Sequence, residues 1–289
     1  MEACASSHYW YRCLSDLGHE VKLINPSFVT PYVRGNKTDA RDAEAICEAV
    51  SRPSMRFVPA KSIEQQDMQI IHRVRARQIK QRTALVNQIR GLLGEYGLVI
   101  PLGIGSVRKS LPLILEDGEN ELSVIAREIF SDLYTQLTQL DQQVSEYDIK
   151  IKQRVKQNES CVRLQGLKGV GPMIATALVM CVGDGRLFHN GRHMAAYLGL
   201  VPKQHSSGGK TRLQGISKRG DRYVRSLLVH GARSVARRAQ HDRDAYPWLH
   251  DLIERRGMNK AVVAMANKLA RQAWVVLARG EPAQGVYAS

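Results

Sequence analysis

Apolar residues recur with a helical rhythm along most of this 289-residue chain, and two stretches carry the pattern furthest. From Ile63 to Tyr96, spaced Ile, Val and Leu stand among Gln, Arg and Lys, which predicts one long helix closed by Gly97. A second is expected from Asn120 to Gln157, with Leu133, Leu137, Leu140, Val144 and Ile149 at three-, four- and five-residue steps. Pro101 to Gly118 reads as the loop between them. The pair therefore predicts an antiparallel coiled-coil hairpin, although a plain helical bundle would leave nearly the same pattern.

On the N-terminal side, an amphipathic stretch from Ser6 to Leu17 predicts a helix closed by Gly18, and Val21 to Ile24 a short strand. Thr38 suits the N-cap of a helix from Asp39 to Val50 that Pro53 ends. From Ser160 onward the elements are short until a helix from Lys260 to Ala278, stopped by Gly280. The expected class is α/β at the N-terminus plus mainly α, with domains at 1–60, 61–159 and 160–289. One helix and one strand cannot complete a sheet, so partner strands come from elsewhere or have been lost from the N-terminus.

Charge narrows the partners. A net charge of +15 and a pI near 9.8 point to nucleic acid, the commonest use of such an imbalance, with plain solubility as the other use. No run of eighteen apolar residues exists, and the start lacks the regions of a signal peptide, so no membrane partner and a cytoplasmic location are expected. Cys4, Cys13, Cys47, Cys161 and Cys181 are scattered with no Cys-x-x-Cys pair, which argues against a disulfide framework and structural zinc. They are expected to be small, buried and reduced. There is no paired-histidine metal motif and no nucleotide-binding P-loop.

Leu164 to Leu178 resembles a helix-hairpin-helix, in which Lys168, Gly169 and Gly171 could hold a backbone phosphate; a turn needed only for packing would look alike. Downstream, Lys203, Lys210, Arg212, Lys218, Arg219, Arg222, Arg225, Arg233, Arg237 and Arg238 are opposed only by Asp221 between 201 and 240. Within that stretch, His205 to Arg212 places Ser206 and Ser207 on a flexible, glycine-rich loop, as a nucleophile toward phosphate or as ordinary turn residues. Asp39 and Asp42 share a helix face close enough for a metal, or simply complement the helix dipole. Glu2, near a strand end, favours the metal reading.

These residues together resemble the insertion-sequence-110 family of DEDD transposases, relatives of the Piv invertase, and in particular the insertion-sequence-1111 subgroup. The ordered matches are Met1 to Cys4, Asn36 to Ile46, Gln88 to Leu93, Gly166 to Gly171, Leu198 to Pro202, Ser206 to Lys210, and Gly215 to Asp221. The resemblance implies a partial RuvC-like, ribonuclease H-like N-terminal domain, a coiled-coil middle that helps form a homo-oligomer (dimer or tetramer), and a helical C-terminal transposase domain. It implies magnesium held by Glu2, Asp39 and Asp42, and Ser207 as nucleophile with Ser206 as runner-up. Lys210, Arg212, Lys218 and Arg219 would offset phosphate charge or hold the backbone, and Arg222 joins the nucleic-acid-binding set. The implied reaction is strand cleavage and exchange between donor and target DNA, directed by an element-encoded guide RNA. Ser207 displaces a 3′ hydroxyl to form a phosphoserine link, and that hydroxyl attacks the partner strand.

In that family a first aspartate precedes the glutamate on an opening strand, whereas this chain starts at the glutamate. The resulting expectation is an N-terminally truncated transposase of impaired activity, since each ion needs near-complete oxygen coordination. Two other readings use the same residues: a non-catalytic DNA- or RNA-binding remnant, and a metal-dependent junction nuclease that uses water and leaves no protein-linked DNA.

Overall fold

In the computed structural model, which describes residues 1–36 and 38–283, the N-terminal segment builds a small core around a backbone ladder. Lys37 of the Asn36 to Ile46 motif lies outside the described residues. Helices α1 (Ser7–Asp16), α2 (Pro26–Val29) and α3 (Asp39–Val50) are joined by turns, including a single 3₁₀ turn at Thr30–Tyr32. The strand expected at Val21 to Ile24 shrinks to isolated bridges, Glu2 parallel to Ile24 and Ile24 antiparallel to Phe57. Ala3 N–H donates to Ile24 O at 2.8 Å and Val58 N–H to Leu23 O at 2.7 Å. The ladder cannot lengthen because Asn25 caps α2, its side chain accepting the Ser27 N–H at 3.0 Å, and Pro26 opens that helix. Thr38 Oγ1 accepts the Arg41 N–H at 3.4 Å and starts α3 where its local signals predict. Ala45 and Ala49 of α3 then pack with Ile24 and Val29.

The chain divides into two compact units, Met1–Gln66 with Ser160–Ser289, and Asp67–Glu159. In the second, α4 (Ile63–Gly94, which begins in the first unit) and α6 (Val124–Lys156) pair across a polar and apolar seam. Inward positions on α4 step by four and three: Met68, His72, Arg75, Ile79, Arg82, Val86, Ile89 and Leu93. Arg75 bonds Asp148 at 2.7 Å, Gln78 bonds Gln143 at 3.1 Å and Arg82 bonds Asp141 at 2.9 Å, so the helices run antiparallel. On α6 the seam runs through Phe130, Leu137, Val144 and Ile151, each seven residues on. Ile149, expected in the seam, is 51 % exposed, because its five-residue step from Val144 carries it to the opposite face.

The expected loop at Pro101 to Gly118 is instead largely a helix, α5 (Ile104–Glu116). Pro112 lies inside it, a cost of about 3 kcal/mol. Val107 and Leu111 are fully buried beside Leu122, Ala126 and Phe130, and burying two such side chains contributes roughly 3–6 kcal/mol. Packing wins, and the helix forms through its proline.

Asp141 accepts from both Arg82 and Arg108. Burial by itself would raise its pKa, but hydrogen bonds from Arg108 and Arg82 outweigh this and hold the carboxyl below its usual range. A depressed folded value stabilises above the unfolded value of about 3.9, and the contribution is lost as pH falls through the folded value. Asp141→Asn is therefore expected to lower Tm at pH 7, and thermal melts over a falling pH series should show that difference shrink and vanish as the Asp141 carboxyl becomes protonated. Solvent screening keeps the effect near 1 kcal/mol or less.

In the first unit, α7 (Glu159–Gln165), α8 (Pro172–Val182) and α9 (Gly191–Tyr197) lead to a two-stranded hairpin, β1 (Pro202–Gln204) and β2 (Leu213–Ile216). Helices α10 (Arg222–Ala239), α11 (Pro247–Arg256) and α12 (Met258–Arg279) follow. Ala232, Ala236 and Ala239 of α10 and Ala266, Ala270 and Ala273 of α12 are buried, and small side chains allow their backbones to approach. α12 also packs on α9 and α11, and α8 is nearly all buried. No helix among the described residues is long and apolar enough to cross a membrane. The observed architecture is mostly helical with one small antiparallel sheet.

Candidate functional site

The serine-bearing segment, expected as a glycine-rich loop, forms the tip of a β-hairpin. β1 and β2 pair antiparallel, Pro202 with Ile216 and Gln204 with Leu213, with one irregularity between. Beyond them His205 N–H donates to Arg212 O at 3.0 Å and Lys210 N–H to Ser207 O at 3.1 Å. Gly208 (φ 54°) and Gly209 (φ 74°) make the two-residue turn, whose positive angles match the strand twist. The ladder separates the two serines. Ser206 Oγ accepts from Gln204 Nε2 at 2.9 Å and from the Arg212 N–H at 3.3 Å. Ser207 is exposed, and its hydroxyl has no partner among the described residues. Lys203, Lys210 and Arg212 of the same hairpin are exposed as well.

At the base of the hairpin, a second basic turn is clamped in place. Ser217 N–H donates to Val201 O at 2.8 Å and Lys218 N–H to Gly199 O at 3.1 Å. A Cβ on Gly220 would fall on the Tyr197 carbonyl oxygen, so only glycine permits this contact. Arg225, counted in the sequence among the phosphate-facing cations, turns inward. Its guanidinium donates to Leu198 O at 3.1 Å and Arg219 O at 2.7 Å, and burial pushes its pKa down. Asp221 is likewise occupied, capping α10 by accepting from Tyr223 N–H at 2.7 Å and Val224 N–H at 3.1 Å. Lys218, Arg219 and Arg222 remain exposed on this rigid mount. The signal for Arg225's role was faint: one arginine at an inward position of an amphipathic helix.

The Gly166 to Gly171 hairpin joins α7 to α8. Gly169 faces α10, where a Cβ would meet Val235 Cγ2 at 2.6 Å and Gly231 O at 2.9 Å. Gly171 is open and precedes Pro172 at the start of α8. Lys168 Nζ lies 4.6 Å from the Tyr246 ring centroid.

Asp39 and Asp42 sit on the first turn of α3, while Glu2 pairs with Ile24, a residue of the core on which α3 packs. Each offers hard carboxylate oxygens suited to a divalent cation, and none of the three side chains has a partner among the described residues. The structure does not gather them into one cluster. Among the described residues the one set of donors within 4.8 Å of one another is His250, Asp251 and Glu254, where Asp251 also pairs with Arg243 at 3.2 Å.

Two cysteines are buried as expected, and burial pushes the thiols of Cys161 and Cys181 up to about 12. Cys4 and Cys47 are exposed, contrary to expectation. At pH 8 roughly one part in ten thousand of a thiol with that raised pKa is ionised, so a thiol reagent should modify Cys4 and Cys47 and spare Cys161 and Cys181. Peptide mapping after a timed pulse checks this; prompt modification of Cys181 in the folded protein would contradict it.

A mostly helical protein of net charge +15, with basic side chains exposed on a hairpin and on the turn at its base, has the features of a protein that handles nucleic acid. Residues 161–247 match the family model described as Transposase IS116/IS110/IS902 family, and residues 1–98 match the model for the DEDD transposases of IS110, described as Transposase. The chain is 48% identical over 281 residues to a probable family 20 transposase of Pseudomonas aeruginosa, covering 96% of this chain and 83% of that protein. It is 47% identical to the transposase for insertion sequence element IS1111A of Coxiella burnetii, covering 97% of this chain and 78% of that protein. A more distant relative, 28% identical over 152 residues, is the pilin gene-inverting protein of Moraxella bovis, covering 50% of this chain and 44% of that protein. The chain belongs to the IS110/IS116 family of insertion-sequence transposases. It is an enzyme of DNA transposition, with DNA as its substrate.

Proposed function

We propose that the chain cuts and exchanges DNA strands through a covalent link between Ser207 and a DNA phosphate. The observation that carries this reading is the exposed, unpartnered Ser207 hydroxyl at a turn flanked by Lys210 and Arg212. Ser207 Oγ attacks the scissile phosphorus, the new O–P bond forms, and the P–O3′ bond breaks. Oγ gives its proton to solvent and O3′ takes one up, leaving a free 3′ hydroxyl. Attack of a 3′ hydroxyl on the partner strand's phosphoserine releases Ser207 and restores a phosphodiester. Phosphoester energy is conserved throughout, so ATP is not required. Lys210, Arg212, Lys218 and Arg219 offset charge on the phosphoryl oxygens or hold the backbone.

Glu2, Asp39 and Asp42, which do not form one cluster in this structure, would hold magnesium only once drawn together, and the ion when bound would polarise phosphate oxygens. In this reading residues 1–60 form a RuvC-like domain, 61–159 a coiled coil that assembles a dimer or tetramer, and 160–289 the serine-bearing transposase domain. A guide RNA encoded by the element selects donor and target DNA in the cytoplasm, with Lys168, Gly169, Gly171 and Arg222 on backbone phosphates. The test is to trap the link with a suicide donor DNA, the element's RNA and magnesium, then map the modified peptide. A denaturation-resistant adduct on Ser207 is expected; cleavage without protein-linked DNA, or a link to another residue, overturns the mechanism.

A further inference from the structure

We propose that Trp248, supported by Lys268, Tyr246 and Lys168, is a stacking site for an unpaired nucleobase. The inference rests on the nucleic-acid reading of the chain but not on serine chemistry. Of the chain's three tryptophans, Trp274 is tied inward, its indole N–H donating to Gly185 O at 3.2 Å and Phe188 O at 3.1 Å. Trp248 is different: it is 45% exposed, and its indole N–H has no acceptor among the described residues. The ammonium of Lys268 stands 4.8 Å from its ring centroid. Two residues earlier, Tyr246 carries Lys168 of the hairpin tip at 4.6 Å. Trp248 offers an exposed ring with one cation, Lys268, beside it, and the neighbouring Tyr246 carries a second, Lys168; single-stranded nucleic acid requires this pairing of a π-face for the base with cations for its phosphates.

The mount is rigid. Tyr246 O accepts the Leu249 N–H at 3.1 Å and the His250 N–H at 2.9 Å, Pro247 opens α11, and Leu249 is buried. The backbone that carries the ring is therefore fixed, and only the two side-chain torsions of Trp248 remain to be ordered on stacking. The nearest carboxylate on that helical face, Asp251, is already paired with Arg243 at 3.2 Å. Strand exchange leaves unpaired nucleotides in DNA, and a folded RNA carries them in its loops, so either source presents the same chemistry. Nothing in the composition marked these residues; the sequence clue was an aromatic-proline-aromatic triplet opening a helix.

The experiment measures binding of the full chain to fluorescent oligo-dT, to oligo-rU of equal length, and to duplex DNA over a range of salt. Trp248→Ala is expected to weaken single-strand binding about tenfold at unchanged salt slope and to leave duplex binding within twofold. Trp248→Phe should restore most of the loss, and Lys268→Ala should lower the salt slope by about one. Tighter binding of oligo-rU or of oligo-dT assigns the base to RNA or to DNA. Equal weakening of duplex and single strand, or wild-type single-strand affinity in Trp248→Ala, overturns the stacking site, as does absence of all nucleic-acid binding. Adduct formation is read separately, so a chain that stacks bases but forms no phosphoserine retains this site and loses only the proposed mechanism.

Discussion

Ser207→Ala is expected to abolish the protein–DNA adduct and to lower strand exchange by at least about a thousandfold, because no other group replaces a missing nucleophile. Its side chain is exposed and unpartnered, so thermal stability should stay within about 0.5 kcal/mol of wild type and DNA affinity within about threefold. Ser206→Ala should behave in the opposite way. It removes the acceptor for Gln204 and for the Arg212 N–H, costing about 1 kcal/mol and loosening the hairpin, while a reduced amount of adduct still forms. Denaturing gels of both variants with suicide DNA decide the matter. Capture by Ser207→Ala together with none by Ser206→Ala would exchange their roles and sink the assignment.

Gly220→Ala should be among the most damaging single-methyl substitutions in the chain. At φ 74° an alanine is strained by about 1–2 kcal/mol, and its Cβ would overlap the Tyr197 carbonyl. Relief requires separating the two turns, which breaks the Ser217 to Val201, Lys218 to Gly199 and Arg225 to Arg219 hydrogen bonds at about 1 kcal/mol each. The total of roughly 4 kcal/mol is a large part of an ordinary domain's 5–15 kcal/mol. Gly209→Ala, also at φ 74° but with nothing within 4 Å, is the control and should cost only the conformational strain. Urea unfolding midpoints compare the two. Equal costs would mean that the clamp on the basic turn contributes nothing.

Local signals were the most readable part of the chain. Thr38 and Pro53 bracket α3 within one covalent neighbourhood, and the helix runs from Asp39 to Val50 as they predict. The long helices were legible from apolar spacing, with ends that differ by a few residues. α5 was missed because Pro112 was weighed as a breaker, whereas Ile104, Val107, Leu111 and Leu115 already carried the helical period. The Gly208-Gly209 pair between Ser207 and Lys210 is a hairpin-turn signal, yet its density of glycine suggested flexibility. At Val21 to Ile24 the apolar run is real, but a ladder needs neighbours, and those available supply single bridges.

The sequence by itself determined the helices, their caps, the basic surplus and, through ordered motifs, membership of the transposase family, since each depends on residues close in the chain or on counting. Only the tertiary structure decided which polar groups remain available. Arg225 is consumed by carbonyls of Leu198 and Arg219, Ser206 by its own hairpin and Asp221 by a helix cap, while Ser207 and Trp248 are left facing outward. The physical reason is that hydrogen-bond partners and burial are set by which distant segments meet. Leu198 lies 27 residues from Arg225, beyond the reach of any local pattern.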